Sequence, residues 1–348
     1  MSTTYTLLTV ALSAVVLITV ALAWLFARLW SRPKRVAPDR TPADYGLAYE
    51  PVHFYSRGER RNGWFVPTEH ARAPAIVIAH SWSRNAAQML PLARALHEAG
   101  YAVLLYDARG HGASEGRGFI TILSFVDDLW GAVDFLRDQR RDVDPNRIAL
   151  VGHSMGGAAA IVAAAIDRRI RAVVSSSAFA EIPTLTRRVL RSFHLPSRLF
   201  FPLVRFFIQR HMSQTMVWAS PRNRIGEVEA PLLLLHGDAD CFVPHSELAA
   251  LAAGADGNAE TVLLPGRGHS NLMRDHRYPV ELVRFLDRVL AAPARPANTG
   301  RVLAARGRRR LHDVLLTAPS SPTAETSLRR EPERRKHAPL RGTSTAGP

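Results

Sequence analysis

Apolar positions along the chain fall into two kinds of run. The first is long and single. Residues 2–27 carry no charged side chain, and Leu7 to Phe26 is dominated by Leu, Val, Ala and Ile. At about 1.5 Å rise per residue, roughly 20 helical residues cross a hydrocarbon core of ~30 Å. The pattern therefore predicts a transmembrane helix over 6–27. A cleaved export signal is the rival reading, but it calls for a basic start, a shorter apolar stretch and a small-residue cleavage site. No Lys or Arg precedes this run.

The second kind is short, repeated and bounded by turn residues. Ala75 to Ala79, Ala102 to Tyr106, Ile148 to Val151, Ala172 to Val174, Leu232 to Leu235 and Thr261 to Leu264 read as strands. Continuous short runs of this type are expected of parallel strands buried on both faces. Helical patterns lie between them, at about 85–99, 122–140, 155–167 and 245–254. The alternation predicts an α/β fold whose mostly parallel sheet is flanked by helices, over 48–292. Residues 181–226 interrupt the rhythm with the aromatic stretch Leu199 to Ile208, just before the fifth of these runs. This insertion reads as a small helical lid over a pocket.

Charge separates the body from its flanks. The net charge is +15, but 28–40 holds +4 of it, 293–348 holds +8, and the body from 41 to 292 only +3. The excess basicity therefore says little about the substrate. Residues 28–47, with Arg28, Arg32, Lys34, Arg35, Arg40 and three prolines, read as a basic linker. Positive charge follows the apolar helix and none precedes it, so the positive-inside rule places the body in the cytoplasm. From 293 to 348 the chain is rich in Arg, Pro, Ser and Thr and poor in large apolar residues, which predicts disorder. Its basic triplets do not by themselves imply a specific nucleic-acid partner. The single cysteine, Cys241, excludes an internal disulfide.

Candidate chemistry centres on Gly152-His153-Ser154-Met155-Gly156. It follows the strand ending at Val151 and precedes a helix of small residues. A serine hydroxyl is a weak nucleophile unless a base takes its proton, and it must project clear of the sheet. A strand, a sharp glycine-flanked turn and a helix provide that projection. On such an elbow the acid and then the histidine follow the serine in chain order. Asp238 and Asp240 lie just past the strand Leu232 to Leu235, and His269 lies just past Thr261 to Leu264. All sit at strand C-terminal ends, where an open α/β sheet gathers its site. Ser154 is the expected nucleophile and His269 the expected general base.

These features in this order resemble the α/β-hydrolase superfamily: His80 at a strand end, Asp107 to Ser114, the elbow, Gly237-Asp238-Ala239-Asp240-Cys241-Phe242-Val243-Pro244, and Gly268-His269. The resemblance covers about 48–292. It implies an α/β-hydrolase fold and assigns the catalytic acid to Asp240, four residues before Pro244, with Asp238 as a turn-stabilising runner-up. It also implies an oxyanion hole from the backbone N–H groups of Met155 and Trp82. Ser81 stands where the family's His-Gly pair has glycine. Arg109 and His111 are expected to shape the neighbouring loop. Among subfamilies, the membrane-tethered Bem46-like hydrolases and the serine-aminopeptidase-like lipase group are similar.

The expected activity is hydrolysis of carboxylic esters with an acyl or lipid-like substrate, at a membrane. Thioester or peptide cleavage by the same triad, and a non-catalytic binding protein on the same fold, are the alternatives. The 14 histidines form no metal-binding motif, and no dinucleotide or phosphate loop is present, so no metal or cofactor is expected.

Overall fold

The computed structural model describes residues 2–290, so the tail expected at 293–348 lies outside the described residues. The elements in order are α1 (Ser2–Trp30), β1 (Glu50–Ser56), β2 (Glu59–Val66), β3 (Ala73–Ala79), α2 (Leu90–Glu98), β4 (Ala102–Tyr106), α3 (Ile122–Gln139) and β5 (Val143–His153). They continue with α4 (Met155–Ile166), β6 (Ile170–Ser176), α5 (Ile182–Ser192), α6 (Ser197–Gln209), β7 (Leu232–Gly237), α7 (Ser246–Gly254), β8 (Ala259–Leu264) and α8 (Arg277–Leu290). The strands form one eight-stranded sheet in the order β1-β2-β4-β3-β5-β6-β7-β8. Its β1–β2 and β2–β4 pairs are antiparallel, and every later pair is parallel.

Why β3 is apolar throughout is plain from the packing. Successive side chains of a strand point to opposite faces. In β3, Ala75, Val77 and Ala79 join the core beneath α3 and α4, whereas Ile76 and Ile78 join the core beneath α2 and α8. Both faces are covered, so neither parity tolerates a polar residue.

The edge strand β1 carries no unbroken apolar run, because its outer face is exposed. The turn from it into β2 has a residue-level cause. Arg57 and Gly58 form a two-residue loop between the paired Ser56 and Glu59, with φ of 52° and 75°. Positive φ at both positions matches the twist of the flanking strands.

The helix α1 runs past the expected 6–27 at both ends, and Thr3–Trp30 is long and apolar enough to cross a membrane. Its last turns dock on the insertion. Ala23 and Ala27 are fully buried in a cluster with Phe200, Phe201, Val204 and Ile208 of α6. Small residues four apart lie on one helix face and let the two helices approach closely. The chain that follows is tied to the body. Ile120 N–H donates to Ser31 O (2.9 Å), Lys34 N–H to Ser83 Oγ (2.9 Å), and Asn85 Nδ2 to Val36 O (3.0 Å). Residues 181–226 supply α5 and α6 and then short 3-10 turns at Pro221–Asn223 and Ile225–Glu227 before β7.

Candidate active site

Ser154 stands between β5 and α4 with φ 55° and ψ −116°, a conformation that costs a non-glycine residue on the order of 1–3 kcal/mol. The surrounding packing holds it there. A Cβ on Gly152 would run into the backbone of Gly156 and Gly157, and a Cβ on Gly156 into the backbone of Ala79 and His80. The helix can start against the sheet only because neither residue has a side chain.

The fold brings the three residues singled out for chemistry into one hydrogen-bonded line. Ser154 Oγ lies 2.9 Å from His269 Nε2, and His269 Nδ1 lies 2.7 Å from Asp240 Oδ2. A carboxylate only accepts, so Nδ1 carries the proton of the neutral ring and Nε2 is left to accept from the serine. Asp238, by contrast, accepts from Gly266 N–H (2.6 Å) and pins the turn before His269.

Asp240 is well supported. Its Oδ1 accepts from the Phe242 and Val243 N–H groups at 3.0 and 2.8 Å. Burial alone would raise its carboxyl, but hydrogen bonds from His236, His269 and the Val243 amide outweigh burial and hold it well below the usual carboxylate range. His236 contributes from the end of β7. Its Nε2–H donates to Val243 O (2.8 Å) and lies 3.5 Å from Asp240 Oδ2.

A second buried line holds the histidine. His153 Nε2–H donates to the backbone O of His269 (2.9 Å), its Nδ1 faces Ser176 Oγ (3.1 Å), and Tyr278 O–H donates to that oxygen (3.0 Å). Burial, reinforced by the neighbouring His269, pushes His153 down to about 3, so it stays a neutral donor and acceptor. His153 and His236 are supporting residues that motif reasoning missed. The sequence signal was faint: each is a lone polar residue just past an apolar run, Ile148 to Val151 for His153 and Leu232 to Leu235 for His236.

The loop after β3 faces the elbow. Ser81 N–H donates to Gln88 Oε1 (2.9 Å) and Ser83 N–H to His111 Nε2 (3.1 Å), while Trp82 N–H has no acceptor among the described residues. Met155 opens α4, where a first-turn N–H has no carbonyl one turn earlier to meet. Two buried histidines clamp this loop to the one after β4. His80 donates from Nδ1 to Ser81 O (2.7 Å) and accepts at Nε2 from Ala108 N–H (2.9 Å). His111 donates from Nδ1 to Arg109 O (2.8 Å). Burial lowers His80 to about 4, and burial with the adjacent His80 lowers His111 to about 3. Of the two residues expected to shape the loop beside the site, His111 reaches it through Ser83 N–H, while the Arg109 side chain pairs with Glu59 at 2.8 Å.

Beside the serine lies an apolar cavity whose wall includes Trp82, Met155, Phe179, Leu185 and Met216. No group of three or more His, Cys, Asp or Glu among the described residues could hold a metal ion.

Comparison with known proteins fits this geometry. Residues 70–217 match the family model described as serine aminopeptidase, S33. The uncharacterized protein YfhR of Escherichia coli K12 is 30% identical over 251 residues, covering 70% of this chain and 81% of that protein. The chain belongs to the α/β-hydrolase superfamily. It is a hydrolase of that superfamily, and its relatives include the uncharacterized protein Rv2307c of Mycobacterium tuberculosis, 29% identical over 283 residues, 79% of this chain and 94% of that one. The Pyrococcus furiosus esterase Pf2001 has the same fold, with a TM-score of 0.61 at 22% identity, covering 74% of this chain and 98% of that chain.

Proposed function

We propose that this α/β hydrolase is a membrane-anchored serine esterase that cleaves carboxylic esters with apolar acyl chains. The observation that carries the reading is the unbroken line from Ser154 Oγ through His269 to Asp240, at 2.9 and 2.7 Å. Ser154 Oγ attacks the ester carbonyl as His269 Nε2 takes its proton, and Asp240 holds the ring in that tautomer and steadies the imidazolium. The N–H groups of Met155 and Trp82 receive the negative charge on the carbonyl oxygen, a contribution worth about 10²–10³ in rate for one donor. His269 then gives its proton to the leaving alcohol. Water, deprotonated by the same nitrogen, releases the acid and restores Ser154.

The apolar cavity beside Met155 suits the acyl chain. The anchor is α1, and the basic cluster from Arg28 to Arg40 supports a cytoplasmic side for the body. An export signal removed near its end would take with it Ala23 and Ala27, which the body buries.

Full-length protein in detergent should hydrolyse p-nitrophenyl esters and label with a fluorophosphonate, and Ser154→Ala should do neither. Thioester and amide substrates on the same preparation separate the related activities. Wild-type protein that neither labels nor turns over any of the three substrate classes refutes the proposal.

A further inference from the structure

One cavity connects the elbow to the end of the membrane helix. Its wall includes Trp82 and Met155 beside Ser154, Ile208 and Met212 from the insertion, and Trp30 and Ser31 from α1 and its exit. It spans about 530 Å³ with its open mouth included. We infer that α1 is a working wall of the acyl pocket, and that Trp30 sets the length of acyl chain the site accepts. This inference rests on the esterase reading.

Several independent contacts fix the wall in place. Ser31 is buried, and its carbonyl accepts from Ile120 N–H (2.9 Å), next to two further cavity residues, Thr121 and Ile122. Phe26 stacks on Trp30 at 6.3 Å and meets Phe193 edge-on at 5.8 Å. Ala23 and Ala27 bury themselves against Phe200, Val204 and Ile208. The indole is thus held by its own helix, by the insertion and by the loop before α3.

The position of the wall also defines the substrate class. The earlier turns of α1 are apolar and open, with Leu7, Leu12 and Leu17 each about two-thirds exposed (66%, 67% and 69%), as suits a lipid-facing helix. The docked turns follow directly, so the cavity sits where the helix leaves the bilayer. Phe193, Leu199 and Phe206 of the insertion are more than half exposed, at 62%, 54% and 54%. Apolar residues exposed together beside a membrane helix mark a face that meets lipid. An acyl chain dissolved in the bilayer reaches the cavity along α1 without crossing water. The substrate class is a long-chain ester resident in the membrane, rather than a freely soluble short one.

The test uses full-length protein in detergent micelles, with p-nitrophenyl esters from C4 to C12 and fatty acids of the same lengths displacing a fluorescent fatty acid. Trp30→Ala removes the indole and should move the preferred chain length upward. The C12-to-C4 ratio of kcat/KM should rise by on the order of tenfold, the discrimination that about one buried methylene commands. Trp30→Phe should fall between wild type and Trp30→Ala. Ile208→Trp fills the facing wall and should move the preference the other way, which keeps the inference testable if Trp30→Ala fails to fold. An unchanged length profile in a variant with wild-type near-ultraviolet circular dichroism overturns it. Wild type with no ester turnover refutes the esterase reading instead. The displacement series then still decides the wall: its length preference moves with Trp30, or the inference falls.

Discussion

Three histidines are buried in neutral form, and this makes the fold acid-sensitive in a calculable way. His153 and His111 are lowered to about 3 and His80 to about 4, in each case chiefly by burial, against an ordinary value of 6.5. Between those values and 6.5 the unfolded chain binds a proton that the folded chain refuses. The stability that depends on their neutrality is therefore complete above 6.5 and lost as the pH falls. From pH 7 to pH 5.5 each such histidine removes about 1.3 kcal/mol, and the three together about 4, against a typical total of roughly 5–15. The amount barely depends on how far below 5.5 the folded value lies.

Three buried carboxylates work in the opposite direction, since burial also raises Asp107 and Asp128 above the usual carboxylate range. Burial raises Asp127 to about 6 in spite of Arg57. Asp127 by itself takes up a proton in the folded state over the same range and returns roughly 0.8 kcal/mol. A single substitution separates these contributions. His153→Gln removes one histidine and leaves His80, His111 and Asp127 in place. Urea unfolding of the full chain in detergent, followed by near-ultraviolet circular dichroism at pH 7 and 5.5, should show a wild-type loss larger than the variant's by about 1.3 kcal/mol. The groups facing His153 are His269, Asp240 and His236, with Ser176 and Tyr278 completing its hydrogen bonds. If the two proteins lose stability equally, His153 already carries a second proton in the folded state, and its Nδ1 donates to Ser176 Oγ rather than accepting there.

Three further outcomes are expected. Asp240→Asn places an amide beside His269 Nδ1 and disfavours the useful tautomer, so kcat for a p-nitrophenyl ester should fall by about 10³–10⁴, whereas Asp238→Asn should cost less than about tenfold; equal losses would reassign the acid. Gly156→Ala drives a Cβ into the backbone of Ala79 and His80, and should lower thermal stability by more than about 1–3 kcal/mol, the usual cost of overpacking, because backbone yields less than side chains. Arg61 and Asp128 form a buried ion pair at 2.6 Å, and Arg61→Met leaves the carboxylate unpaired, so urea unfolding should register a loss of about 3–5 kcal/mol; a neutral result would mean that Asp128 takes up a proton at little cost.

What could be read in the sequence follows from what each signal depends on. The apolar runs of β3 to β7 announce themselves because a parallel strand covered on both faces has few polar positions to spare, whereas the edge strand β8 is mostly exposed. The β1–β2 hairpin is half exposed, and its best signal was the turn Arg57-Gly58 rather than hydrophobicity. The helix α8 was there to be found: Tyr278, Leu282, Phe285, Leu286 and Leu290 recur at helical spacing and are all buried. Ser154, Asp240 and His269 were legible because each follows a strand, so chain order alone brings them to one edge of the sheet. The supporting contacts were not. His153 meets the backbone of a residue 116 positions away, and no local pattern encodes that meeting. The docking of α1 was hidden in the same way, since length and hydropathy describe a lipid-crossing helix without saying which face Ala23 and Ala27 present to α6.

Ser81 shows the difference between a sequence pattern and its physical requirement. Where the family's His-Gly pair has glycine, this chain has serine beside the proposed oxyanion donor. Glycine is indispensable only where φ is positive or a Cβ would collide. In this loop the left-handed residue is Ser83, at φ 56°, and Ser81 is not among the positive-φ positions. The loop needs a fixed backbone path that leaves the Trp82 N–H turned away from its neighbours' bonds. Gln88 takes the amide before it, His111 the amide after it, and His80 ties Ser81 O to Ala108 N–H across the loop. Those clamps depend on neutral rings, since protonated His80 or His111 has no lone pair with which to accept an amide. Two of the three histidines that make the fold acid-sensitive, His80 and His111, therefore also shape the proposed oxyanion hole.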